Sequence, residues 1–441
     1  MVETLAPTGF SQDAFDAFLD SRDEPQWVSD QRRWAWDTFC QIEWPQRSEE
    51  EWMRTDIRLF KLDRFGVPID PLPEVELPAP LLTEGVTLGG YSTAVNSRTV
   101  QSHFEPKWLE QGVLFGSLER LIATHGDLIR PHLSTVIDPQ FDKFSALNGA
   151  CWSGGSVLYV PRGVVVDEPF HAFSVIADGG VDFGRTLVIL EDGAQATLLN
   201  EMASAGNDDL GSTIGGLHCG AIELIVGNNA RLVYVDLQNW DTSVWHFAHQ
   251  KALVESDASL QWTIGALGSR LAKVNQHVGL TGAGAECQVN GAMFTEGRQH
   301  LSYHTLQHHV APSCRSDFLY KAALQDRSRT VWRGMIKVDT VAQKTDGYQR
   351  NDNLLLSSKC RADAIPGLEI EADDVRCTHG STTSRVDDEQ LFYAQTRGFS
   401  RKEAVRMIVT GFFQQIFDRI AIESVRESLG HAIARRVREY D

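Results

Sequence analysis

The sequence predicts a mainly β fold: a right-handed parallel β-helix core flanked by α-helical regions at both ends. Beyond Lys143 the chain becomes a succession of short, β-branched stretches punctuated by Gly and Pro, beginning with Val157-Leu158-Tyr159-Val160-Pro161. A turn of Gly, Asn or Asp followed by Ala opens successive strands at Asp192-Gly193-Ala194, Asn228-Asn229-Ala230, Asp257-Ala258 and Gly284-Ala285. These alanines lie 36, 28 and 27 residues apart, and no helical pattern intervenes. A period in that range with strands alone is that of a solenoid, in which each coil buries its apolar face on the next. Other all-β architectures such as a jelly roll stay open, because the spacing is irregular.

Composition narrows the class. With 441 residues and 42% hydrophobic content, the chain has enough apolar side chains for two or three domains or one extended repeat. Lys+Arg 41 against Asp+Glu 59 leaves a net charge of −18, which argues against nucleic acid and against anionic membrane surfaces as partners. Seven cysteines at 40, 151, 219, 287, 314, 360 and 377 form no C-x-x-C pair, so neither a disulfide framework nor a zinc knuckle is expected. The first twenty residues carry Glu3, Asp13, Asp16 and Asp20 without a basic start or an apolar run, and no stretch is long enough to span a membrane. The expected location is the cytoplasm.

The elements follow in order. Residues 1–66 read as an N-terminal helical region: Pro25 suits a first helical position, and Trp27, Val28, Trp34, Trp36, Phe39 and Ile42 follow before Pro45 ends the run. Ser48 and Glu51 have capping-box spacing and predict a short helix through Asp56. Residues 67–86 read as a Pro-rich linker, since Pro68, Pro71, Pro73, Pro78 and Pro80 favour an extended chain bridging two domains. The β-helix core is expected over 87–386, with a helical insertion at about 105–137, where Leu118, Leu121, Ile122 and Leu128 share one face. Residues 387–441 read as a C-terminal helical domain. Asp387 caps a helix that stops at Gly398, and Ser400 with Glu403 forms a capping box for the next. That second helix carries Val405, Ile408, Val409, Phe412, Phe413, Ile416 and Phe417, an apolar surface too wide for one contact. One side fits the β-helix; the other fits either its own domain or a partner.

Two stretches carry candidate chemistry. In Val375-Arg376-Cys377-Thr378-His379-Gly380, Cys377 and His379 have the same parity on a strand, with Cα atoms roughly 6 to 7 Å apart. A thiolate beside an imidazole suits iron, zinc or copper, although two ligands do not make a site. In the strand from His300 to His309, His300, His304 and His308 share a face and His309 is opposite. Histidines four apart on a strand are about 13 Å apart, too far to share a metal without a second strand. Trp152-Ser153-Gly154-Gly155-Ser156 lacks the Lys and spacing of a phosphate-binding loop, so any ATP dependence must come from a partner.

Several segments carry a resemblance. They are Glu50-Glu51-Trp52 with Thr55-Asp56, Phe144-Ser145-Ala146-Leu147-Asn148, Arg333-Gly334-Met335-Ile336-Lys337-Val338, the run from Ala342 to Asn351, and the region from Asn353 to Ile420. Together they span most of residues 140–420, and the chain resembles the SufB/SufD family of SUF iron–sulfur cluster assembly scaffolds. The resemblance implies a β-helix core and a non-catalytic scaffold that pairs with a SufB-type paralogue. It implies that a SufC-type ATPase docks on the C-terminal helices, where Arg397, Val405, Ile408, Phe412 and Phe413 are the candidate contacts. It implies no cofactor held stably by the isolated chain, and an iron–sulfur cluster present transiently in the complex. By motif, His379 is the expected cluster ligand or interface group, with Cys377 second. Thr378 stands where SufB-type chains tend to carry an acidic residue, which favours the SufD side. A homodimer in isolation stays open. Two enzyme readings compete: a metal-dependent enzyme using the strand from His300 to His309, and a carbohydrate-active β-helix enzyme, whose carboxylates would be sought at Asp373-Asp374 or Asp387-Asp388.

Overall fold

The computed structural model describes residues 9–69, 71–206 and 215–438. Residues 1–8, on which part of the N-terminal reading falls, and residues 70 and 439–441 of the expected linker and C-terminal domain lie outside them.

From Gln195 onward, strands adjacent in sequence alternate between two sheets, and each pairs in parallel with the strand one coil away. The first sheet stacks Gln195–Ser204, Arg231–Asn239, Ser259–Ala266, Glu286–Thr295, Arg315–Leu324, Thr345–Leu355 and Val375–Arg385. The second stacks Leu217–Val226, Trp245–Val254, Leu271–Leu280, His300–His309, Arg329–Val338 and Arg361–Ile370. The result is a β-solenoid of about eight coils with helices at both chain ends.

The turn repeat has a backbone cause. Gly193, Asn229, Asp257 and Gly284 all sit at positive φ, between 55° and 74°, where Gly, Asn and Asp are least strained. Each donates its N–H to a carbonyl in the next coil's turn: Gly193 to Asn228, Asn229 to Ser256, Asp257 to Ala283 and Gly284 to Pro312, at 2.8 to 3.1 Å. Ser313 (φ 62°) and Lys344 (φ 60°) continue the same series with donations to Gln343 and Asp374. Those two turns escaped the repeat signature because neither carries Gly, Asn, Asp or a following Ala. The alanines after the first four turns are buried, as are Cys314 and Thr345 after the last two.

Inward-facing side chains stack in columns along the lumen. Tyr234, Trp262, Val289 and Phe318 form one such column and are all fully buried. The outer faces are covered by the chain's two ends. Helix Arg401–Phe417 lays Val405, Val409, Phe413 and Ile416 on outward residues of the first sheet such as Val235, Leu237, Phe294 and Leu319. Lys321 Nζ and Gln261 Nε2 then donate to the carbonyls of Phe412 and Arg419. Asp387 and the Ser400/Glu403 capping box start their helices as expected, and Gly398 at φ 93° follows the first of them.

The N-terminal helices Gln12–Asp20 and Gln26–Gln41 pack with helix Lys143–Cys151 over the second sheet. The helix expected after Ser48 does not form: residues 47–54 are turns. Glu51 is instead turned away from the Ser48 backbone and onto the sheet, where stronger cationic partners await it. Residues 71–80 have no regular structure, but they do not run free of the core. Val75 and Leu77 pack near Phe173 and Val175, and the backbone N–H groups of Leu81 and Leu82 donate to buried Glu201.

Candidate functional site

The solenoid ends differently at its two poles. At the N-terminal pole, Arg98–Phe104 and Leu114–Ser117 add antiparallel strands to the two sheets. At the C-terminal pole, Val375–Arg385 and Arg361–Ile370 are the last strands of their sheets, each hydrogen-bonded on one side only among the described residues. Their outer backbone edges are therefore free to pair with another chain. Pro366 lies within one of them, a residue a strand tolerates at an edge.

His379 and Cys377 stand on this last coil, on the parity expected from sequence. His379 continues the buried column of Tyr234, Trp262, Val289 and Phe318 through Gln349. Gln349 is fully buried while His379 is exposed, because no coil follows. Cys377 continues the column of Cys287, Ser316 and Gly347. Gly347 makes room for it: a Cβ there would lie 3.3 Å from the Cys377 sulfur. The thiol is half-buried beside Ile336, Val338 and Ala372, and burial raises it above the usual cysteine range. It is thus a protonated thiol until a metal or cation displaces the proton. His379 is exposed at the mouth of the last coil, so a ligand can approach the imidazole from the open end. Across the coil mouth, Leu368 and Ile370 are 38% and 39% exposed, giving the pole an apolar wall opposite its polar one.

The residues expected at the ATPase contact separate into two sets. Arg397 is exposed, with its guanidinium 3.1 Å from the Tyr393 hydroxyl. Ile408 and Phe412 are half-buried at the core margin. Val405 and Phe413 are a correction: both are fully buried in the chain's own core against the first sheet, so neither is a surface residue. The exposed apolar side chains nearby are Phe392, Tyr393, Phe399 and Met407, at 41 to 69% exposure. Sequence reasoning passed over them because a broad apolar helix does not say which face meets its own sheet. The signal available was Phe392-Tyr393, an aromatic pair in a helix where only Leu391 is buried.

The histidines from His300 to His309 are dispersed among different partners. His304 Nδ1 lies 2.5 Å from Glu51 Oε2, His308 Nε2 2.9 Å from Asp339, and His309 Nε2 2.7 Å from Ser316 in the lumen. Glu51 also pairs with Lys273 and Arg333, and Glu50 with Arg333. Burial opposes ionisation of Glu51, but the His304 hydrogen bond and the neighbouring charges outweigh it and hold its carboxyl down to about 2. Burial lowers His304 and brings Lys273 down to about 8. This cluster clamps the N-terminal segment to the second sheet, together with the Thr55 to Ser302 hydroxyl contact at 2.9 Å. Among the described residues, no three His, Cys, Asp or Glu side chains converge as a metal site.

Residues 173–412 match the model of the SUF system FeS cluster assembly SufBD core domain, and residues 15–171 match the SufBD protein N-terminal region. The chain is 27% identical to the iron–sulfur cluster assembly protein SufB of Bacillus subtilis, over 94% of this chain and 90% of that protein. It is 29% identical to an iron–sulfur cluster assembly SufBD family protein of Staphylococcus saprophyticus, over 90% and 83% respectively. A SufBD family protein of Staphylococcus epidermidis is 27% identical over 94% and 90%. With its core and its N-terminal region both matched, this chain belongs to the SufBD family of iron–sulfur cluster assembly proteins.

Proposed function

We propose that the chain is a non-catalytic scaffold subunit of a SUF complex, on the SufD side of the family. In this reading it pairs with a SufB-type paralogue through its open C-terminal pole and carries a SufC-type ATPase on its C-terminal helices. The observation that carries the reading is the pole itself. Two long adjacent strands, each with a free edge, end a lumen whose last coil presents Cys377 and His379 at its open mouth. Edge strands of this length invite pairing, and a paralogue with the same solenoid offers the matching edges. The nascent iron–sulfur cluster is cargo formed at that junction, with His379 as the ligand or interface group on this side and Cys377 as the second candidate. Thr378 beside His379 supports the SufD assignment. Without a paralogue the same edges allow a homodimer. The exposed Phe392, Tyr393, Phe399 and Met407, with Arg397, supply the surface for the ATPase. The setting proposed is the cytoplasm.

Anaerobic co-elution of the chain with SufB-type and SufC-type partners from its own cell extract tests the assembly. A stable complex containing both is expected, and elution of the chain without either overturns the reading. Within that complex, His379→Ala should lower iron and sulfide content while leaving assembly intact. Phe392→Ala should release the ATPase but not the paralogue.

A further inference from the structure

The lumen is mostly apolar, but a polar seam runs through it. On the second sheet, Gln250, Gln276 and Thr305 occupy successive positions of one inward column, each separated from the next by one strand spacing of about 4.8 Å. The first sheet answers across the lumen. Gln250 Nε2 donates to Asp236 Oδ2 at 2.8 Å, Asn200 Nδ2 donates to Asp236 Oδ1 at 2.8 Å, and the Tyr320 hydroxyl donates to Gln276 Oε1 at 2.5 Å.

Each column residue keeps one buried polar atom without a protein partner among the described residues: Gln250 Oε1, Gln276 Nε2 and Thr305 Oγ1. Turning the Gln276 amide over only exchanges which of its atoms is left unpaired, and turning Gln250 over would set its oxygen against the Asp236 carboxylate. One coil further the column reaches Gly334, where a Cβ would collide with the amide of Gln349. Gln349 thus takes the space, donates to the Gly367 carbonyl at 2.9 Å, and leaves its own Oε1 unpaired. Its neighbour in the next coil is His379. At the other end, the same column begins with Ser156 and Thr186 and passes Ile222 before Gln250, and there these residues line a lumenal cavity of about 30 Å³ with Asn200. Such a volume holds about two water molecules, at roughly 10–15 Å³ each.

Four unpaired atoms alternate along the seam as acceptor, donor, hydroxyl and acceptor. Buried polar atoms of native proteins are satisfied by protein or by ordered water. We propose that a file of ordered water molecules threads this seam, held by Gln250 Oε1, Gln276 Nε2, Thr305 Oγ1 and Gln349 Oε1, and joins the buried Asp236 carboxyl to the open pole at His379. The file gives Asp236 a route for proton exchange with solvent through an otherwise closed core. Its use at the pole rests on the function proposed above; its existence does not.

A high-resolution crystal structure of the full chain should place waters within hydrogen-bonding distance of all four atoms. A dry seam, with the amides paired to one another, overturns the proposal. Infrared spectroscopy tests the route, using the Asp236 carboxyl band assigned by its loss in Asp236→Asn. On transfer to deuterated buffer, Thr305→Val should slow exchange of that band roughly tenfold, the factor one hydrogen bond is worth. Gln349→Met interrupts the file one coil nearer the pole and should do the same, which covers failure of the first variant to fold. Unchanged exchange in a folded variant overturns the route, whatever His379→Ala does to cluster content.

Discussion

Trp262 and His379 occupy the same inward column of the same sheet, four coils apart along it, and their environments are opposite. Trp262 has a coil on either side and is fully buried; His379 has a coil on one side and is exposed. A solenoid gives every inward position the same geometry and lets only its place in the stack decide between core and surface. The last coil is therefore where residues of core register become available for chemistry. The N-terminal pole, by contrast, is covered by antiparallel strands and helices.

That contrast is open to breakage by mutation. Trp262→Ala should cost about 3–5 kcal/mol in chemical denaturation, the penalty for removing a large buried aromatic. A loss below about 1 kcal/mol would show that the lumen repacks freely and that column position does not define the core.

Asp236 extends the comparison to a buried charge. Burial raises its carboxyl to about 6, against the opposing hydrogen bonds of Asn200 and Gln250. The folded state then holds the proton more tightly than the unfolded chain, so this group favours folding at low pH and loses that contribution as pH rises through about 6. Its share is about 3 kcal/mol at full ionisation. Stability profiles of wild type and Asp236→Asn should diverge in slope between the unfolded carboxylate range and pH about 6. Parallel profiles would mean that Asp236 is solvated.

Glu51 has the opposite sign. With its carboxyl held at about 2, its pairing with His304, Lys273 and Arg333 stabilises the fold above the ordinary carboxylate range and is lost as pH falls through about 2. Because the side chain is partly exposed, Glu51→Gln should cost only about 1 kcal/mol near neutrality, with the difference shrinking in acid. Limited proteolysis of the N-terminal segment would report the same loosening. An unchanged digestion pattern would assign the attachment to the aromatic packing of Trp52, Phe60 and Phe144 instead.

The smallest effect is expected where the column ends. His379→Ala should alter stability by no more than about 0.5 kcal/mol, as an exposed side chain does. A larger loss would make the last coil part of the core and remove the distinction between the two column positions.

Much of the solenoid was legible because its turns demand a left-handed residue. Gly193, Asn229, Asp257 and Gly284 announce that demand in their identity, whereas Ser313 and Lys344 meet it without announcing it. Strand parity likewise put Cys377 and His379 on one side, since side chains alternate in any extended chain. Helix caps at Asp387 and Ser400 were readable for the same local reason.

What lay beyond local rules was decided by tertiary contact. Capping-box spacing at Ser48 and Glu51 predicted a helix, but the Glu51 carboxylate found three cationic or imidazole partners on a sheet more than two hundred residues away. Val405 and Phe413 looked no different from the rest of a wide apolar helix until the first sheet covered them and left Met407 outside. Even the exposure of His379 is not a property of its segment, for the same strand one coil earlier would be core. By itself the sequence determined periodicity, turn chemistry and parity, which depend on backbone sterics within a few residues. The tertiary structure alone decided which equivalent positions are buried and which lie open, because burial depends on what stacks next.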